Sequence, residues 1–247
     1  MSKKNNEENG FTRREVMGTA AVGVAAVTFG NGTLAAAPPA SAVTAPPSLT
    51  PDQALEALKR GNREFLAGRA AVPDANGRRR LEIARAQFPI AVLVSCSDSR
   101  VPPELLFGRG LGELFIIRNA GNSIDTVAMG SLEYAVAELN VPLVVIMGHE
   151  RCGAVAAAVS VVQDGATFPG SIGQMVEPII PAVLDARRNN PTDLLDASVR
   201  ANVRRTVARL REFSEPMVLD RIKQRKLRVV GARYDLDDGN VDFFDEA

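Results

Sequence analysis

Tryptophan is absent from the 247 residues, while histidine occurs once, cysteine twice and tyrosine twice. An excess of charge is missing as well, because 29 Lys and Arg balance 29 Asp and Glu. A neutral balance leaves no electrostatic footprint for nucleic acid or for an anionic membrane surface. Long apolar runs are also missing. The stretch from Val16 to Phe29 covers 14 residues, whereas a helix needs ~20 to cross a bilayer, so no stable membrane anchor is expected. No internal repeat and no long low-complexity segment follow Pro47, and the expected class is a soluble globular domain.

The amino-terminal segment has an organisation of its own. Polar and charged residues lead to Thr12-Arg13-Arg14, then the mildly apolar Val16 to Phe29, then Ala- and Pro-rich sequence containing Ala40-Ser41-Ala42. A charged start, a short apolar region and a small-x-small exit describe an export signal. The paired arginines before a weakly hydrophobic segment resemble a twin-arginine signal. Residues 1–42 are therefore expected to be a signal peptide that sends the protein to the periplasm, and residues 43–247 a single catalytic domain. Removing the segment's four basic and three acidic groups leaves 25 and 26 in a domain of 205 residues, long enough for one well-buried core.

The rest of the chain alternates between helix and strand signals. Thr50-Pro51-Asp52-Gln53 has the form of a capping box with Pro at the first helical position, followed by Leu55, Leu58 and Phe65 as an apolar stripe and Gly68 as a stop. Residues 71–80 look like a basic loop. Ile90 to Ser95, Leu114 to Ile117 and Leu143 to Met147 are continuous apolar runs of strand length, the pattern of parallel strands buried on both faces. Helices are expected over 125–139 (with Val127, Met129, Leu132, Val136 and Leu139 apolar), 153–162, 173–187 and 193–213. Val229 to Tyr234 and Val241 to Phe244 should form a terminal hairpin around Asp237-Asp238-Gly239-Asn240. The expected fold is α/β, a central mainly parallel β-sheet flanked by helices with an N-terminal helical arm.

Every thiol and imidazole in the chain falls in two short motifs, Cys96-Ser97-Asp98-Ser99-Arg100 and His149-Glu150-Arg151-Cys152. Cys96 follows one expected strand and His149 another, at the strand ends where open α/β sheets bind ligands. Two thiolates and one imidazole supply three corners of a tetrahedral zinc site and leave the fourth open for chemistry. Cys152 also begins a helix, whose dipole favours a thiolate there. Asp98 and Arg100 suit a supporting pair: Asp98 accepts a hydrogen bond from a hydroxide generated at zinc, and Arg100 keeps Asp98 ionised and oriented. Asp98 could instead take the fourth zinc position and close the site.

These residues carry a resemblance to the β-class carbonic anhydrases. It rests on Cys96-Ser97-Asp98-Ser99-Arg100-Val101, Arg118-Asn119-Ala120-Gly121-Asn122, Leu132-Glu133-Tyr134-Ala135-Val136 and Gly148-His149 through Cys152-Gly153. The resemblance implies that Cys96, His149 and Cys152 hold Zn2+ and that Asp98 with Arg100 forms a catalytic dyad. It implies that Gln87 orients the substrate and that Phe115, Ala120 and Tyr134 line the pocket. It further implies conversion of carbon dioxide to bicarbonate by a homodimer or tetramer with active sites close to the interface, where the helix from Pro51 would embrace a partner. A subgroup of the family has an inhibitory bicarbonate site built with tryptophan, a residue this chain lacks.

Two other readings compete at this stage. The same zinc hydroxide could hydrolyse carbon disulfide or carbonyl sulfide, which are small, linear and apolar like carbon dioxide. Alternatively the protein could be non-catalytic, binding zinc or joining Cys96 to Cys152 in a disulfide, since two cysteines in an exported protein ordinarily pair. Twin-arginine export carries folded proteins, which would allow zinc to occupy the thiols before they meet an oxidising compartment.

Overall fold

Four parallel strands set the position of everything else. The computed structural model describes residues 48–69 and 75–246, so the expected signal peptide lies outside the described residues. Strands β1 (Ala91–Ser95), β2 (Leu114–Arg118), β3 (Leu143–His149), β4 (Arg228–Tyr234) and β5 (Val241–Asp245) form one sheet in the order β2-β1-β3-β4-β5. The first four run parallel, and β5 turns back antiparallel to β4. β1 and β3 are buried along their whole length, which explains why their sequences are apolar without alternation.

Alternate side chains of the strands serve opposite layers. Val92, Val94, Val144, Ile146 and Val229 face helices α4 (Thr126–Ala137), α8 (Leu194–Phe213) and α9 (Pro216–Lys223). Leu93, Val145, Met147 and Val230 face α1 (Pro51–Leu66) and the short α3 (Pro103–Leu106). The expected capping box of α1 is complete: Thr50 Oγ1 accepts from Gln53 N at 3.2 Å, and Gln53 Oε1 accepts from Thr50 N at 2.9 Å. Leu55 and Leu58 bury α1 against its own sheet. Burial of each such side chain is worth about 1.5–3 kcal/mol.

A third apolar layer covers the carboxyl end of the sheet. It comprises α5 (Gly153–Asp164), α6 (Gly170–Val176), a 3-10 turn (Glu177–Ile179) and α7 (Ile180–Arg187), packed around Cys96 and Cys152. α8 passes close above β3. A Cβ at Gly148 would lie 2.8 Å from Val199 Cγ1 and 3.0 Å from Val203 Cγ2, so only glycine admits that approach one residue before His149.

Several expectations need correction. The helix expected over 173–187 is interrupted, because Pro178 and Pro181 lack the N–H that would continue the ladder. Of the loop expected at 71–80, residues 71–74 lie outside the described residues and 77–80 belong instead to α2 (Gly77–Ile83), started by Asn76 Oδ1 accepting from Arg79 N at 2.9 Å. Val127 does not belong to the buried stripe of α4; it is 78% exposed, at the outer side of the helix. Helix α9 was not foreseen at all, although Pro216 occupies a first-turn position as helix starts favour.

Candidate metal centre

β1 delivers Cys96 as the first residue beyond its end, β3 ends on His149, and Cys152 is the N-cap of α5. Because β1 and β3 are hydrogen-bonded neighbours, parallel pairing alone brings the two motifs side by side. The ligand atoms of Cys96, His149 and Cys152 lie within 4.8 Å of one another, and all three residues are buried. Both cysteines are free.

The His149 ring is oriented by its own turn. Nδ1 lies 2.8 Å from the Glu150 carbonyl oxygen, so Nδ1 carries the proton and donates. Nε2 is then an acceptor, fully buried and without a hydrogen-bond partner. An orphaned buried nitrogen is costly unless something else satisfies it. A lone pair at Nε2 facing two sulfurs is a donor set suited to zinc, which takes imidazole nitrogen and thiolate sulfur in tetrahedral sites. The residues present therefore fit a zinc ion.

Charge in the trio is divided unequally. The Cys96 thiol is lowered to about 4, chiefly by the hydrogen bond from Cys152 and against the opposing effect of burial, with further help from the backbone N–H groups of Asp98 and Gly121. Cys152 is pushed up by its thiolate neighbour and by burial. These directions oppose the thiolate expected from the α5 dipole at Cys152, because Cys96 Sγ accepts from the Cys152 S–H and, at 3.3 Å, from the Gly121 N–H. Metal binding would have to remove the second proton.

Asp98 and Arg100 form a two-pronged pair at the mouth of the centre. Arg100 Nε meets Asp98 Oδ1 at 2.9 Å and Nη2 meets Oδ2 at 2.7 Å, and the Arg100 backbone N–H adds a third bond at 2.9 Å. This arrangement holds the Asp98 carboxyl well below the usual carboxylate range. Asp98 Oδ2 stands 3.8 Å from His149 Nε2. With both oxygens engaged by Arg100, the carboxylate sits beside the trio rather than closing it.

The remaining expected residues divide into two places. Ala120 begins a 3-10 turn (Ala120–Asn122) whose next residue bonds Cys96, so it borders the trio. Gln87 precedes β1, and five strand residues span about 16 Å, which places Gln87 at the opposite end of the strand from Cys96. Gln87 and the half-exposed Tyr134 line one cavity of about 600 Å³ together with Pro89 and Ile90. Phe115, near the start of β2, has its ring centroid 6.4 Å from that of Tyr134. Within one chain these three are gathered together but away from the trio.

Three residues that support the site were missed. Arg118, quoted in a motif but given no role, donates from Nε to the Cys96 carbonyl at 2.9 Å and from Nη2 to the Asp98 carbonyl. It fixes the loop that carries both motif residues. Glu150 accepts from Leu236 N at 3.1 Å, and Arg151 donates to Asp237 through Nη1 and Nη2, so the His149–Cys152 turn is braced by the β4–β5 connection. The signal available was weak: two charged residues between two ligands.

Comparison with known proteins decides the family. The family described as carbonic anhydrase matches residues 91–241, which contain the buried Cys-His-Cys trio and the Asp98–Arg100 pair. The chain belongs to the β-class carbonic anhydrases. It is 42% identical over 195 residues to carbonic anhydrase 2 of Mycobacterium tuberculosis, covering 79% of this chain and 93% of that relative. It is 38% identical over 196 residues to the carbonic anhydrase of Mycolicibacterium smegmatis, with 79% and 94% covered. Among solved structures, it resembles one of two tetrameric β-carbonic anhydrases of Sordaria macrospora at TM-score 0.63 and 25% identity, over 75% of this chain and 93% of that one. A Coccomyxa β-carbonic anhydrase in complex with acetazolamide matches at TM-score 0.59 and 27% identity, over 77% and 84%. As a carbonic anhydrase the chain shows the expected fold, with its mostly parallel five-stranded sheet. Among the described residues no helix is long and apolar enough to cross a membrane.

Proposed function

We propose that this carbonic anhydrase holds zinc through Cys96, His149 and Cys152 and reversibly hydrates carbon dioxide to bicarbonate and a proton. The observation that carries the reading is a buried Cys-His-Cys trio with an unpartnered imidazole nitrogen, next to a carboxylate bound at both oxygens by arginine. When bound, zinc supplies a Lewis acid that lowers the pKa of water from ~15.7 toward ~7. Ionised Asp98 can only accept hydrogen bonds. It therefore orients the O–H of the attacking water or hydroxide so that an oxygen lone pair faces the carbon of carbon dioxide. Arg100 keeps Asp98 charged and fixed in direction. In this reading the Gln87 amide orients the substrate, and Phe115, Ala120 and Tyr134 form walls suited to a small uncharged molecule.

The separation of Gln87, Phe115 and Tyr134 from the trio supports a homo-oligomer. Side chains gathered about one strand length away can line the pocket only from a second copy, and the Sordaria relative is described as tetrameric. A homodimer, or a tetramer built from dimers, is accordingly proposed as the working unit.

Proton release has a distinctive constraint. The chain's one histidine is spent on the metal, and no other side chain titrates near neutral pH without a shift. Turnover in stopped-flow carbon dioxide hydration by the zinc-loaded protein should rise with buffer concentration until it saturates. A rate that stays flat across that range would mean an internal relay carries the proton. Absence of any hydration above background would sink the proposed activity itself.

Residues 1–42 are proposed to direct export to the periplasm by the twin-arginine route. Replacing Arg13 and Arg14 together with lysine should leave the full-length protein in the cytoplasmic fraction, whereas unchanged periplasmic recovery would refute that route.

A further inference from the structure

Helix α8 presents a valine face to the sheet, with Val199, Val203 and Val207 all buried. Asn202 interrupts that face. Its side chain belongs to a residue only 7% exposed, and an amide buried there must find partners or cost stability. Asn202 Nδ2 donates to the Gly121 carbonyl oxygen at 2.9 Å. Gly121 in turn donates its N–H to Cys96 Sγ at 3.3 Å. One residue is thus gripped on one side by α8 and grips a ligand sulfur on the other.

The grip is tight because Gly121 has little room. It adopts φ +67°, and a Cβ there would lie 2.7 Å from Ile179 Cδ1 and 3.2 Å from Ala154 Cβ. The turn fits against α5 and the 3-10 turn at Glu177–Ile179 with no slack to absorb a lost bond. On the outer side, a cavity of about 360 Å³ is lined by Asn202, Arg205, Thr206 and Arg209. Truncation at Asn202 would let water enter from that cavity and replace the amide at the Gly121 carbonyl.

We propose that Asn202 is a positioning residue for the metal centre: by holding the Gly121 carbonyl it aims the Gly121 N–H at Cys96 Sγ and tunes how that sulfur binds metal. The inference rests on the zinc reading given above. A hydrogen bond to a ligand sulfur stabilises its lone pairs and fixes their direction. Outer partners of this kind affect metal affinity by about 10–100-fold. Losing the bond should weaken metal retention and raise the energy of the sulfur lone pairs, which lowers the energy of sulfur-to-metal charge transfer.

Two variants test this without inviting water: Asn202→Leu fills the same space with no donor, and Asn202→Asp keeps the shape but repels the carbonyl. Zinc affinity is measured by competition with a chromophoric chelator, and the sulfur-to-cobalt charge-transfer band is recorded on cobalt-substituted protein. Both variants should bind zinc about tenfold more weakly than the wild type, and the band should move to longer wavelength. A purely structural role would lower the melting temperature and leave the band in place. Should both variants match the wild type in affinity and band position, the inference is overturned while the zinc reading stands. A wild-type protein that takes up no metal overturns both.

Discussion

Asp98→Asn is expected to reduce kcat/KM for carbon dioxide hydration by about 10²–10³-fold, the usual cost of one lost electrostatic contact at a reacting centre, with zinc content unchanged. Asparagine has the shape of aspartate, so the loop held by Arg118 should persist. What changes is the chemistry of the group. An amide can donate toward the attacking oxygen and satisfy its lone pair, where the carboxylate could only accept. Arg100 also keeps only one of its two side-chain bonds, because an amide NH2 cannot accept as the second carboxylate oxygen did. The trio does not use Asp98, and zinc should stay at the wild-type stoichiometry. The combination is diagnostic. If Asp98 were instead a fourth zinc ligand, the variant would lose zinc affinity, and activity would fall little or even rise as the site opened. Retention of wild-type kcat/KM would remove Asp98 from the chemistry altogether.

His149→Ala carries the second large effect. The ring is fully buried, bonded through Nδ1 to the Glu150 carbonyl and free at Nε2. Its removal leaves two thiols and a cavity, and two protein ligands do not make a zinc site. Zinc measured by atomic absorption should fall from near one per chain to less than about a tenth of that, with activity at background. Thermal unfolding separates two contributions. Cavity formation in a core typically costs about 2–5 kcal/mol, and this part should persist in a chelator. Stabilisation by bound metal, which scales with the logarithm of its concentration over its dissociation constant, should vanish for the variant and for chelated wild type alike. A variant that keeps stoichiometric zinc would show that the ion is held elsewhere.

The helices and strands that were easiest to foresee are those written by local chemistry. Thr50 and Gln53 cap α1 as their spacing implied, and the apolar runs at 90–95, 114–117 and 143–147 became parallel strands, the first beginning at Ala91. Difficulties arose where competing signals met. Pro178 and Pro181 broke a helix that apolar spacing alone extended, and Val127 had the right character but the wrong face. That Cys96, His149 and Cys152 could come together was legible from scarcity, because every thiol and imidazole falls in two motifs at strand ends.

Scarcity and spacing therefore determined which residues could bind metal, the α/β class, and that Asp98 and Arg100 accompany the ligands. Tertiary structure decided which of them is favoured to ionise first and which nitrogen is available. The Cys96 thiol is lowered, since its sulfur accepts from the Cys152 S–H and from the N–H of Gly121, 25 residues away in sequence. His149 offers Nε2 because the carbonyl of its own neighbour claims Nδ1. Gln87 and Tyr134 stand at the far end of a strand from the ligands, and Asn202 reaches the centre from a helix over a hundred positions beyond Cys96. These outcomes depend on the direction and length of hydrogen bonds between distant segments, and a linear pattern of residue types does not encode direction.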